Sequence, residues 1–310
     1  MRIGVSDVNV HKEYQEEGLE MDKFCIVTES TADLTQALVD RFGITVIPMR
    51  FSFDDQEYYN YPDNRALSPE AFYQMLRDGR ISTTTAINLS QFEEAFVPIL
   101  ERGDDVLYLG FSSSLSSTFG TAVLVAEQLR ERYPARRIEV IDTLAASMGE
   151  GLLVCLAAMQ QQSGAGLDQI ADWVRAHISK LSHWFTVDDL LYLYRGGRVN
   201  ALTAHVGTAL GIKPILHVDD AGHLIPMAKI RGRKQSIEAL AEKLKVLGRD
   251  IEQQMIFIGH ADALDAAQYL ASLIRADFPS VEIQIGTIGP VVGSHTGPGA
   301  LTLFFLGHHR

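Results

Sequence analysis

The chain is short of cysteine, of long apolar runs and of positive charge, and each shortage removes a class of protein. Only Cys25 and Cys155 occur among 310 residues, inside the apolar runs FCIV and LLVCLAA. That placement suits small core residues in a reducing compartment and argues against a disulfide framework. No run approaches the roughly 20 apolar residues that span a bilayer. The first 20 residues lack the apolar segment of a signal peptide, so residues 1–22 are expected to be a polar extension and the protein cytoplasmic. Lys and Arg number 27 against 39 Asp and Glu, a net charge of −12, which argues against nucleic acid as a partner.

Catalytic signatures are equally scarce. No G-x-S-x-G elbow marks a serine nucleophile, no G-x-x-x-x-G-K-[ST] loop marks phosphoryl transfer, and no G-x-G-x-x-G follows a predicted strand. Cys and His lack zinc spacing, so no metal site is expected. A serine paired with His295 as a hydrolase is conceivable, but no spacing marks an acid partner. Neutral donors abound and general bases are few, a balance that favours a binding module over an enzyme.

What is present is a large apolar fraction, 46%, in a length that suits two domains of ~150 residues each. The densest feature is VLYLGFSSSLSSTFGT (106–121): an apolar run, a glycine, six hydroxyls within seven positions, then a helical pattern. Such a strand-to-helix junction leaves free backbone N–H groups at the positive end of a helix dipole, a setting that suits an anion. One hydroxyl suffices for a helix cap, so six are a surplus. Similar junctions follow FCIV, where Ser30 and Thr31 serve equally well as caps or ligand contacts, and Ser82-Thr83-Thr84-Thr85, whose β-branched residues also suit a strand.

Apolar runs alternate with helical patterns along the first half, predicting a mainly parallel, doubly wound sheet with the hydroxyl clusters beyond the strand ends. A strand is predicted over 44–53, irregular at Pro48, followed by a polar, tyrosine-rich surface excursion over 54–64. The break QQQSGAG (160–166) is the predicted domain boundary, dividing an N-terminal α/β domain (23–165) from a C-terminal α/β domain with a mixed sheet (166–310). In the latter, the pair Gly196-Gly197 before Arg198 fits either a turn that aims the guanidinium at an anion or a plain helix C-cap. Lys229, Arg231, Arg233 and Lys234 form a basic island that reads as a partner surface, a membrane-surface contact or an ordinary solvated face. His295 lies among glycines in a predicted loop, where it suits a polar site. His308 and His309 are expected to be disordered.

Seven stretches taken in order, VTESTADL, STTTAINLSQF, GFSSSLSSTFGTA, IDTLAASMGEG, DDLLYLYRGGRV, GIKPIL and SHTGPGA, resemble the DegV family over residues 23–306. The resemblance implies a two-domain α/β protein with a long-chain fatty acid in a tunnel between the domains. It implies that the carboxylate is held by Thr84 or Thr85 and by Ser112 or Ser113, with Ser114 alongside and backbone N–H groups assisting. Ser30, Thr31, Thr118 and Arg231 are secondary candidates. It further implies that the protein, with no cofactor of its own, is the binding subunit of a fatty acid kinase. A separate subunit would bring ATP and Mg²⁺ and phosphorylate the carboxylate, with Arg198 and His295 at the site mouth. A carrier or sensor without kinase coupling is the alternative. Two departures from the family pattern stand out: Ser114 and Ser117 occupy positions commonly Gly, and Ala86-Ile87 follows the threonines in place of Gln-Pro.

Overall fold

The structure, a computed structural model, describes residues 23–200 and 211–310. The polar extension expected over residues 1–22 therefore lies outside the described residues. Thirteen described strands are Phe24–Glu29 (β1), Thr45–Ile47 (β2), Met49–Phe53 (β3), Gln56–Asn60 (β4), Ser82–Thr85 (β5), Asp105–Gly110 (β6), Ile138–Asp142 (β7), Leu181–Thr186 (β8), Ile212–Val218 (β9), Leu224–Arg231 (β10), Met255–His260 (β11), Glu282–Thr287 (β12) and Leu301–Leu306 (β13). The described helices are Gln36–Phe42 (α1), Pro69–Arg77 (α2), Leu89–Glu101 (α3), Thr118–Arg132 (α4), Met148–Gln162 (α5), Leu167–Ile178 (α6), Leu191–Arg195 (α7), Arg233–Leu247 (α8), Leu264–Asp277 (α9) and Pro290–Thr296 (α10).

The N-terminal part is built on a four-stranded parallel sheet in the order β2-β1-β6-β7. Every residue of β6 is buried, as a strand covered on both faces must be. One face packs Ile26, Leu107 and Leu109 against α5, and the other packs Val27, Val106 and Tyr108 against α3 and α4. The C-terminal part is a six-stranded mixed sheet, β10-β9-β8-β13-β11-β12, in which only β11 and β12 run parallel. Both the parallel and the mixed sheet match expectation.

Helix α5 joins the two. All of Met148 to Cys155 is buried, with Leu107 and Leu109 on one side and Phe257 and Phe304 on the other. A helix apolar on nearly every side belongs inside, with Glu150 its buried exception, and its glycines set the spacing. A Cβ at Gly149 would lie 2.5 Å from His183 Nε2, and one at Gly151 would lie 2.5 Å from the Ala32 carbonyl.

Several local expectations are revised. The strand expected over 44–53 is two strands, because Pro48 divides β2 of the parallel sheet from β3 of a separate three-stranded antiparallel sheet, β4-β3-β5. The tyrosine-rich excursion is β4, turned back onto β3 through Asp54 at φ 52°. Ser30 and Thr31 do not cap α1; they form a short 3₁₀ turn, and Thr35 accepts the Leu38 N–H in their place. The segment around His295 is no loop but α10, which opens on Pro290. The C-terminus is tied down: Arg310 is buried and donates to the carbonyls of Leu144, Asp219 and Ile178.

Candidate functional site

A cavity lies where the mixed sheet, α10, the start of α5 and the loop before α4 meet. Its floor is one face of the sheet, with His183, Phe185, Val218, Leu224, Thr302 and Phe304. These share a face by register, His183 lying opposite Phe304 and Phe185 opposite both Thr302 and Leu216. The roof is Phe111, Leu115, Ser116, Ala146, Ser147, Val291 and Val292. Much of the wall is apolar, and among its polar groups three stand together.

These are Thr84, Arg198 and His295. Alternation along β5 leaves Thr84 half-buried beside α10, while Thr83 and Thr85 are exposed. Thr84 Oγ1 lies 2.9 Å from His295 Nε2. The Gly pair explains the geometry: a Cβ at Gly196 would stand 2.2 Å from His295 Nδ1. Gly197, at φ 74°, then turns the chain so that Arg198 Nε and Nη2 donate to the Leu115 carbonyl at 3.0 and 2.8 Å. Arg198 also donates to the Gly196 carbonyl. Among the described residues, three of the five guanidinium donors are thus engaged. Burial and the Arg198 charge hold His295 down to about 4, so its ring is neutral at pH 7.

The serine-rich loop departs most from expectation. Its backbone donors are consumed within the protein: Ser112 N–H by the Ala145 carbonyl, Ser113 N–H by the Asp142 carboxylate, and Leu115 and Ser116 N–H by the Ser112 carbonyl. Ser112 Oγ is buried and donates to the Gly222 carbonyl, while Ser114 Oγ donates to the Ala221 carbonyl. Ser113 and Ser114 are exposed, and Ser113 and His295 do not pair as a nucleophile and base. Thr85, Ser112, Ser113 and Ser114 are absent from the described cavity wall; Ser116, whose Oγ accepts the Thr118 N–H at 3.2 Å, takes their place in it. Thr118 is buried, bonded to Ser116 and to the Ile87 N–H. Neither Ser114 nor Ser117 has a positive φ, so a glycine is not required at either position.

Of the first junction, Thr31 reaches the cavity and Ser30 does not, its Oγ accepting the Met49 N–H. Behind Thr31 stands a buried carboxyl group. Glu150 accepts from Thr31 Oγ1, and its other oxygen lies 2.8 Å from Thr28 Oγ1, which also lies 2.8 Å from the Leu109 carbonyl. One hydroxyl proton cannot serve two acceptors, so a protonated Glu150 that donates to Thr28 satisfies all three groups. Burial first, and then the nearby Glu29 charge, push Glu150 up in accord with that. Burial also raises Glu29 and Asp33 to about 7 each, although Glu29 accepts from Tyr108 and Phe111, and Asp33 from Ser147 and Gly289.

Arg231 is exposed on β10, far from the described wall, and Arg233 is half-buried against the Gly299 carbonyl and Asp188. No group of His, Cys, Asp and Glu suited to a metal occurs among the described residues, and no described helix is long and apolar enough to cross a membrane. Sequence reasoning missed His183, Ser147 and the aromatic floor, because apolar strands carry no mark of which face borders a cavity.

A family model described as "Uncharacterised protein, DegV family" matches residues 23–308. A DegV domain-containing protein of Clostridium perfringens is 42% identical over 93% of this chain and 98% of its own length. A structure described as fatty acid binding of a DegV family protein from Thermus thermophilus superposes with a TM-score of 0.82 at 28% identity, covering 92% of this chain and 99% of that one. A Bacillus subtilis structure described as DegV, a fatty acid binding protein, gives 0.79 at 26% identity, covering 93% and 99%. The chain belongs to the DegV family.

Proposed function

We propose that this protein binds a long-chain fatty acid in a tunnel between an N-terminal domain (23–165) and a C-terminal domain (166–310), and presents its carboxylate to a separate ATP-dependent kinase. The observation that carries the reading is a largely apolar cavity in whose wall Thr84, Arg198 and His295 stand together. An acyl chain gains by leaving water along the apolar walls, and a carboxylate buried with it needs several donors. Thr84 O–H, with His295 Nε2–H donating into it, and the Arg198 guanidinium supply them. The fatty-acid-binding relatives support the ligand class.

Coupling to a kinase is supported by the far side of the same three residues. Thr84, Arg198 and His295 also line an outer cleft with Arg80 and Arg195, where a phosphate donor on a partner would meet positive charge. The chain itself would contribute binding and orientation, with ATP and Mg²⁺ carried by the partner.

Native mass spectrometry of the protein as purified, before and after organic extraction, tests the ligand. A mass excess of one long-chain acid, reduced in Thr84→Val, is expected. A clean apo mass with no uptake of added palmitate or oleate refutes fatty acid as the ligand.

A further inference from the structure

Ser147 stands where α5 begins, with φ 55° and ψ −146°, a combination close to the region that glycine alone adopts freely. Its hydroxyl does not cap the helix. The side chain is buried, and its one bond among the described residues is donated to Asp33 Oδ2 at 2.6 Å. A glycine at 147 would relieve the backbone, so the strain of a serine there is offset only through what its side chain does.

Asp33 is buried as well and accepts a second bond. Its Oδ1 receives the Gly289 N–H at 2.8 Å, at the residue that caps the start of α10. A Cβ at Gly289 would lie 2.7 Å from that oxygen, so glycine is what admits the carboxyl group. One side chain thus joins the start of α5 to the start of α10. Both segments line the cavity, the first through Ala146 and Ser147, the second through Val291, Val292 and His295. The far end of α10 is held separately, by Ser294 on Ser82 and by His295 on Thr84. Fewer than two turns of helix separate Gly289 from His295, so displacing the start of α10 moves the imidazole.

We propose that Asp33 and Ser147 are positioning residues for the ligand: the carboxyl group, bonded to Ser147 Oγ and Gly289 N–H together, ties α5 to α10 and so sets His295 against Thr84 where the acyl carboxylate is held. This rests on the fatty-acid reading above. Neither residue needs to touch the ligand for this. A wall assembled before the acid arrives spares binding the cost of ordering it, and the strain at Ser147 is borne by the fold instead.

The test measures palmitate binding to the delipidated full-length protein by isothermal titration, beside urea midpoints, in wild type, Ser147→Ala and Ser147→Gly. Both variants lose the bond to Asp33, and only the glycine loses the strain. The glycine variant is therefore expected to have the higher urea midpoint of the two, yet a Kd raised about 3- to 10-fold, as in the alanine variant. A purely structural serine would make affinity follow stability, with binding restored in Ser147→Gly. Ligand-free ¹⁵N spectra separate positioning from direct contact: the His295 ring signals shift in both variants, whereas a serine that only touched the ligand would leave them in place. Wild-type Kd in Ser147→Gly, or unmoved His295 signals, overturns the role of the bridge and leaves the fatty-acid reading standing. If the wild type takes up no palmitate, that reading falls and the proposal with it.

Discussion

Substituting Gly196 by alanine adds one methyl group and tests whether His295 holds the ligand. Gly196, the residue that ends α7, has φ −71° and ψ −12°, so the alanine backbone is unstrained there. The difficulty is contact alone. The new Cβ would stand 2.2 Å from His295 Nδ1 and 3.1 Å from Cε1, whereas atoms in contact sit at roughly 3.5 Å. The imidazole must retreat by about 1 Å or more, which breaks its 2.9 Å bond to Thr84. Overpacking of this kind costs about 1–3 kcal/mol of stability. Binding changes too. Loss of one bond between neutral groups costs about 0.5–1.5 kcal/mol, a 2- to 12-fold rise in Kd for palmitate. Gly197→Ala is the contrast, since it meets no atom within 4 Å but sits at φ 74°. It should lower stability by about 1–2 kcal/mol and affect Kd much less. Isothermal titration and urea unfolding of both variants separate the effects. Wild-type Kd in Gly196→Ala would refute the role given to His295.

Thr84→Val should weaken palmitate binding about 5- to 10-fold through loss of one hydroxyl. Thr85→Ala and Ser113→Ala, both exposed and outside the described wall, should leave Kd within about 2-fold; the reverse order would return the site to the serine loop. Arg198→Met removes the fork on the Leu115 carbonyl, and should raise Kd about 10-fold or more while speeding amide exchange over residues 112–116. Slow exchange there in the variant would show that the loop does not depend on Arg198. Glu29 is raised from the ordinary 4.5 to about 7 by burial, so the folded state holds its proton more tightly than the unfolded chain. Its contribution is full below pH 4.5 and is lost as pH rises through 7. Glu29→Gln should therefore remove about 3 kcal/mol of the stability decline between pH 5 and 8, read from urea midpoints. Parallel pH profiles for the two proteins would show that Glu29 ionises freely when folded.

The layered α/β plan was legible because burial writes it into the chain. Runs such as DVLYLG can only be strands covered on both faces, and their alternation with helical patterns leaves a parallel sheet as the economical arrangement. Local chemistry was legible where it acts locally, as at Pro48, the irregularity that divides β2 from β3. The count of hydroxyls was a weaker guide. Six in seven positions suggested an anion site, but Ser112 and Ser114 are bonded to the Gly222 and Ala221 carbonyls, Thr118 is bonded to Ser116, Ser113 and Ser117 are exposed, and Ser116 is the one that lines the cavity.

By itself, then, the sequence determined the fold class, the family and the segments that border the site, since hydrophobic period, turn residues and ordered motifs are properties of the chain. Only the tertiary structure decided which side chains meet. Thr84 and His295 are 211 residues apart and touch because β5 and α10 pack together. Gly196 matters because a ring from another element occupies the space beside it, and Asp33 because Ser147 and Gly289, 114 and 256 residues away, both donate to it. Proximity between distant segments depends on how whole layers pack, and no local pattern of residues encodes it.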